Sequence, residues 1–143
     1  AQMFETHVWG ALAAMRACVA GMKREKFGRV VLIASNRGQV GWSDGCHYNA
    51  AKSAMIGFAK SWARELAPHG ILVNAIAPGV VRTAMTLKHG EAAVQEEADL
   101  NLLKRAAEPE EIAGVVRFLM EPGGDYMTGQ VLCPNGGDPI VGI

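Results

Sequence analysis

The chain has 143 residues, half of them hydrophobic, and a formal net charge of zero. That is enough apolar material for the core of one ordinary domain, and the balanced charge excludes a basic field that would gather nucleic acid or an anionic membrane. No apolar run approaches the ~20 residues of a membrane span, so neither nucleic acid nor membrane is expected as a partner.

The first residues read as a helix carrying Glu5 and His7, not as a secretion signal. A helix that starts at residue one predicts that more chain precedes it. Val8, Leu12, Met15, Val19 and Met22 recur at spacings of four and three, one face of a helix from about Phe4 to Lys26. Lys23, Arg24 and Lys26 complement its C-terminal dipole, and Gly28 is the expected stop. Val30-Val31-Leu32-Ile33-Ala34 is short, continuous and β-branched, as in a parallel strand covered on both faces. Residues 35 to 47 are Gly-rich and polar and read as a loop. A second helix is expected from Tyr48 to Ala67, with Met55, Phe58, Trp62 and Leu66 on one face and Pro68 and Gly70 ending it.

Ile71 to Ile76 is the next strand, stopped by Ala77-Pro78-Gly79. Thr83 to Ala107 is polar and weakly periodic, which predicts a mobile loop with short helices. Pro109, with Glu110 and Glu111 behind it, opens a helix that runs to Pro122. A short strand, Gln130 to Cys133, comes last. Helix and strand alternate throughout, which predicts parallel pairing with right-handed crossovers and a Rossmann-like, doubly wound α/β sheet. Cys18, Cys46 and Cys133 are far apart and form no C-x-x-C pair, which predicts reduced thiols and a cytoplasmic protein.

Tyr48 and Lys52 are four apart and share a helix face. A phenol has a pKa near ~10; a neighbouring ammonium stabilises the phenolate and makes the pair usable as a general acid/base. Taken alone, the pair reads sooner as a packed Tyr beside a solvated Lys. Ser35 ends the first strand, where open parallel sheets bind ligands. It can hydrogen-bond a carbonyl oxygen there, or it merely ends the strand. His47, His69 and His89 lie in different segments without a carboxylate or Cys at ligand spacing, so no metal site is expected. Trp9, Trp42 and Trp62 read as packing residues. His47, beside Tyr48, is either exposed or part of a substrate pocket.

Five segments together carry a resemblance. They are Ile33-Ala34-Ser35; Tyr48-Asn49-Ala50-Ala51-Lys52-Ser53-Ala54; Val73 through Thr83, with Ala77-Pro78-Gly79 inside it; Glu108 through Ala113; and Thr128-Gly129-Gln130 with Asn135-Gly136-Gly137. In order and content they resemble the C-terminal half of short-chain dehydrogenases/reductases, over essentially the whole chain. The resemblance implies an enzyme that moves a hydride between NAD or NADP and a secondary alcohol or ketone. Its nearest-looking members reduce 3-oxoacyl thioesters or oxidise cyclic and aromatic alcohols.

In the roles so implied, Tyr48 exchanges a proton with the substrate oxygen. Lys52 lowers the Tyr pKa and holds the nicotinamide ribose, and Ser35 orients the carbonyl. Pro78, Gly79, Val81 and Thr83 fall where the family binds the nicotinamide half. Met85, Leu87, Leu100, Leu102 and Leu103 fall in its substrate lid. The family also packs its two long helices into a homotetramer.

His7 stands where the family has an Asn that holds a proton-relay water, so it either joins the catalytic set or only fills space. The family's N-terminal half, with its Gly-rich phosphate turn and cofactor-selecting charge, has no counterpart here. This predicts that the 143 residues are one half of a single domain. The competing reading is a degenerate subunit that stabilises an active homologue. Lys52, where halohydrin dehalogenases have Arg, and the Asn-Gly-Gly ending argue against other chemistries on this scaffold.

Overall fold

A computed structural model describes residues 2–141. Three parallel strands form one sheet in the order β1-β2-β3: β1 Gly28–Ile33, β2 Ile71–Ile76 and β3 Val131–Leu132. The register is in step, with Gly28 opposite Ile71 and Ile33 opposite Ile76. The three carboxyl ends therefore finish side by side. Ala34 N–H donates to the Ile76 carbonyl at 2.7 Å, Asn36 N–H to Pro78 at 3.0 Å, and Ala77 N–H to Leu132 at 2.8 Å. Among the described residues, the other edge of β1 pairs with no strand.

Period-two alternation divides the strands between two faces. Val30, Leu32 and Ala34 of the first strand segment, with Ile71, Val73, Ala75 and Ala77 of the second, face one helical layer. That layer is α2 (Gly10–Glu25), through Met15, Val19 and Met22, and α4 (Cys46–Leu66), through Met55, Ala59, Ala63 and Leu66. Ile71, Val73 and Leu66 are fully buried, which contributes about 1.5–3 kcal/mol for each large aliphatic side chain. The helical stripes read from the sequence thus cover the sheet. Helix α7 (Pro109–Met120) packs on β1 and β2 outside that cluster and faces Ile33 across a cavity. Helices on both faces complete the doubly wound arrangement.

Several local readings change. The first helix is continuous over residues 2–25 but holds a π-helical turn at Glu5–Trp9, between α1 (Gln2–Phe4) and α2. It ends not at Gly28 but at Lys26, which takes the left-handed conformation (φ 51°). Gly28 instead begins β1. A Cβ there would lie 2.8 Å from Met22 Sδ and 2.9 Å from Ile71 Cγ2, so the position needs glycine for close approach.

The loop after β1 contains a four-residue helix, α3 (Arg37–Val40), and α4 begins two residues before Tyr48. The segment read as a mobile loop holds α5 (Ala84–Leu87) and α6 (Glu91–Ala98). Helix α7 starts at Pro109 as expected. Its capping box pairs Glu108 with Glu111, and Glu111 also binds Arg105 through both oxygens. That contact is the chief reason the Glu111 carboxyl is held down to about 2. No helix among the described residues is long and apolar enough to cross a membrane. The three cysteines are free thiols.

Candidate active site

The carboxyl ends of β1 and β2 open into a cavity of about 640 Å³. Ser35, Tyr48, Lys52, Pro78, Gly79, Val81 and Thr83 all line it. They come from three places in the chain, and the parallel register brings those places together. Ser35 leaves the end of β1, Pro78 and Gly79 follow β2, and Tyr48 and Lys52 occupy the first turns of α4.

Lys52 is the least usual of these groups. Its residue is only 7% exposed, yet it is a cation. Its Nζ donates to the Ile33 carbonyl at 2.9 Å, at the end of β1. Burial pushes the ammonium below its ordinary pKa of 10.5, because the charged form loses hydration. The same Nζ lies 5.7 Å from the centre of the Tyr48 ring. One carbonyl leaves ammonium donors to spare, which suits a ligand rich in hydroxyls. Ser35 is also buried; its hydroxyl donates to Asn36 Oδ1 at 3.2 Å and accepts from Arg37 N–H at 3.2 Å.

The Pro78-Gly79 turn is held close to the third strand, with Gly79 N–H donating to the Pro134 carbonyl at 3.3 Å. A Cβ on Gly79 would meet Asn135 backbone atoms at 3.0 Å. Thr83 caps α5, accepting from Thr86 N–H at 3.4 Å, and an accepting hydroxyl keeps its own proton to donate. These donors and this turn fit the nicotinamide-ribose half of a dinucleotide.

His7 does not line the cavity. It sits in the π-helical turn, half-buried, with its ring edge-on to Tyr48 at 6.4 Å between centroids. Burial first, and the Lys52 charge second, hold its imidazole below the ordinary 6.5, so it is neutral at pH 7. His47 is exposed and lies outside the cavity lining; His89, from the segment after α5, lines it instead. All the expected lid residues are exposed; Met85 lines the cavity, whereas Leu87, Leu100, Leu102 and Leu103 do not.

Sequence reasoning missed Arg37 and Glu97, which line the cavity together, and Gly38. A Cβ on Gly38 would lie 2.8 Å from the Lys52 carbonyl carbon and 2.9 Å from Ser53 N. Glycine there lets the helix after Ser35 rest directly on the helix that carries Lys52. Ser53 Oγ closes the contact by donating to the Gly38 carbonyl at 2.7 Å.

The chain is similar in sequence and fold to known proteins. A family model described as enoyl-(acyl carrier protein) reductase matches residues 1–138. An uncharacterized oxidoreductase of Bacillus subtilis, YmfI, is 41% identical over 136 residues, 95% of this chain and 56% of its own length. The chain belongs to the short-chain dehydrogenase/reductase family. The 3-oxoacyl-[acyl-carrier-protein] reductase FabG of Aquifex aeolicus is 37% identical, over 95% of this chain and 55% of its own. Among solved structures, a short-chain dehydrogenase/reductase family protein superimposes with a TM-score of 0.89 at 33% identity, covering 96% of this chain and 57% of that one. A 3-oxoacyl-[acyl-carrier protein] reductase of Brucella melitensis with bound NAD gives 0.84 at 34% identity, covering 94% and 49%. The chain spans about half the length of the curated relatives it matches.

The Gly38 contact yields a structural prediction for this dehydrogenase/reductase segment. Gly38→Ala in the intact protein must push α3 off α4, and overpacking of this kind costs about 1–3 kcal/mol. Denaturant unfolding measures it, and a variant as stable as the parent would contradict the contact.

Proposed function

We propose that the intact protein is an NAD(P)-dependent oxidoreductase that interconverts a secondary alcohol and its ketone. Substrates of the 3-oxoacyl thioester type, or cyclic and aromatic alcohols, fit the resemblance best, and the 3-oxoacyl reductases among the relatives support the first. The observation that carries the reading is the convergence of Ser35, Tyr48 and Lys52 with Pro78, Gly79, Val81 and Thr83 on one cavity.

Pro78, Gly79, Val81 and Thr83 would hold the nicotinamide half of NAD or NADP, with Lys52 and Tyr48 at its ribose. Bound there, the cofactor supplies or accepts the hydride. The rest is the chain's own chemistry. Ser35, fixed by the Arg37 amide, orients the substrate oxygen. Tyr48 gives its proton to that oxygen during reduction and takes it back during oxidation. Negative charge develops on the phenolic oxygen as the proton leaves, and a dehydrated cation 5.7 Å from the ring centre stabilises it more than a hydrated one would.

His7 completes the proposed set as a positioning residue. A π-helical turn bulges the helix backbone and often marks a functional position. Here it sets a neutral imidazole against Tyr48, able to donate from one ring nitrogen and accept at the other. The proposal includes a cytoplasmic homo-oligomer, a tetramer. Trp9, exposed on the first helix, supports a helical contact with another copy.

Tyr48→Phe keeps the ring and removes the proton. Turnover should fall by about 10²–10⁴-fold, with NAD(P)H affinity nearly unchanged. Near-normal kcat would remove Tyr48 as acid/base. For His7, the Asn variant should keep or raise kcat, and the Ala variant should lower kcat without lowering the melting temperature. If His7→Ala melts early but turns over normally, the residue only packs.

A further inference from the structure

The segment that rises over the cavity leaves the body at Thr83 and returns at Ala107. Its base is pinned. Val81 pairs with Ala107, Arg82 N–H donates to the Ala107 carbonyl at 2.9 Å, and Arg82 bridges Glu91 at 2.7 Å and Glu108 at 3.5 Å. The far side of α6 meets the body differently. Glu97 Oε1 accepts from Arg37 Nη2 at 2.8 Å, and both residues line the cavity.

Arg37 is unusually well seated for this contact. Its guanidinium lies over the Trp42 ring, 4.9 Å from the centroid. A stacked guanidinium loses little further freedom when it pairs. Its backbone amide donates to Ser35 Oγ at 3.2 Å and to Asn36 Oδ1 at 2.8 Å, so the residue cannot drift from the catalytic loop. The two side chains are 30% and 33% exposed. That is dry enough to strengthen the pair and wet enough to avoid the desolvation penalty of a fully buried one. A contact of this kind opens and closes readily.

We propose that Arg37 and Glu97 form the clasp that holds α6 over the substrate side of the cavity, making Arg37 a positioning residue for substrate rather than for proton transfer. The inference rests on the oxidoreductase reading for its kinetic part and on geometry alone for the rest. Breaking the clasp at Glu97 frees α6 without touching Ser35, Tyr48 or Lys52, so there it acts on KM.

The test uses the intact protein with R37E, E97R and the exchanged pair R37E/E97R. Amide hydrogen exchange over residues 91–98, without substrate, should quicken about fivefold in either single variant, as a half-exposed ion pair supports. The exchanged pair should return it to the parent rate. KM for the alcohol or ketone should rise and recover in parallel, and in E97Q, which leaves the Ser35 loop untouched, kcat should change little. If a reversal prevents folding, R37M and E97Q each remove one charge and should give the same acceleration. Unchanged exchange in the single variants, or an exchanged pair no better than either single variant, overturns the clasp. Exchange needs no turnover, so it decides the clasp even if Tyr48→Phe defeats the oxidoreductase reading.

Discussion

The site depends on one cation removed from water. Lys52 carries its charge at the floor of the cavity, 7% exposed, with the Ile33 carbonyl as acceptor. A buried charge of this kind persists only where the surroundings supply partners. Here the end of a parallel strand supplies one, and the geometry of α4 puts the Tyr48 ring beside it. The same burial that depresses the Lys52 pKa keeps the ammonium from being masked by solvent, and its charge helps hold the His7 imidazole neutral.

The fold brings the partners to this cation. Parallel register ends β1 and β2 level, so Ser35 and Pro78 emerge at the same height, and the Asn36 N–H next to Ser35 donates to the Pro78 carbonyl. Gly38 then lets the Ser35 loop lie against the backbone of Lys52. Backbone hydrogen bonds join the two strand ends, and the Lys52 and Ser53 side chains tie α4 to the end of β1 and to α3. The segment between Thr83 and Ala107 is tied down at its base and paired with the Ser35 loop at its far side through Arg37 and Glu97.

Much of this was legible in the amino-acid sequence, and the rest was hidden for physical reasons. The continuous apolar runs at residues 30–34 and 71–76 marked buried parallel strands, because few other structures bury both faces of so short a run. Tyr48, Lys52, Ser35 and the Pro78-Gly79 turn stood out once their order resembled a family. The π-helical turn at Glu5–Trp9 carries no glycine or proline before Gly10 to announce it, and periodicity reads straight through it. Helix α3 is four residues long, too short for a period to show. Lys26 in the left-handed region breaks the expectation that glycine stops a helix. Arg37 and Glu97 are sixty residues apart, and Glu97 lies in the least periodic part of the chain, so only the fold brings them together.

Direct titration of Lys52 tests the central claim most closely. Nitrogen-15 NMR of the lysine side chains in the intact protein, with Lys52→Met for assignment, follows that ammonium alone. Burial beneath Tyr48 predicts a midpoint below the ordinary 10.5. A Lys52 that titrates at 10.5 or above would contradict the account, since burial would then not be the influence that governs its charge.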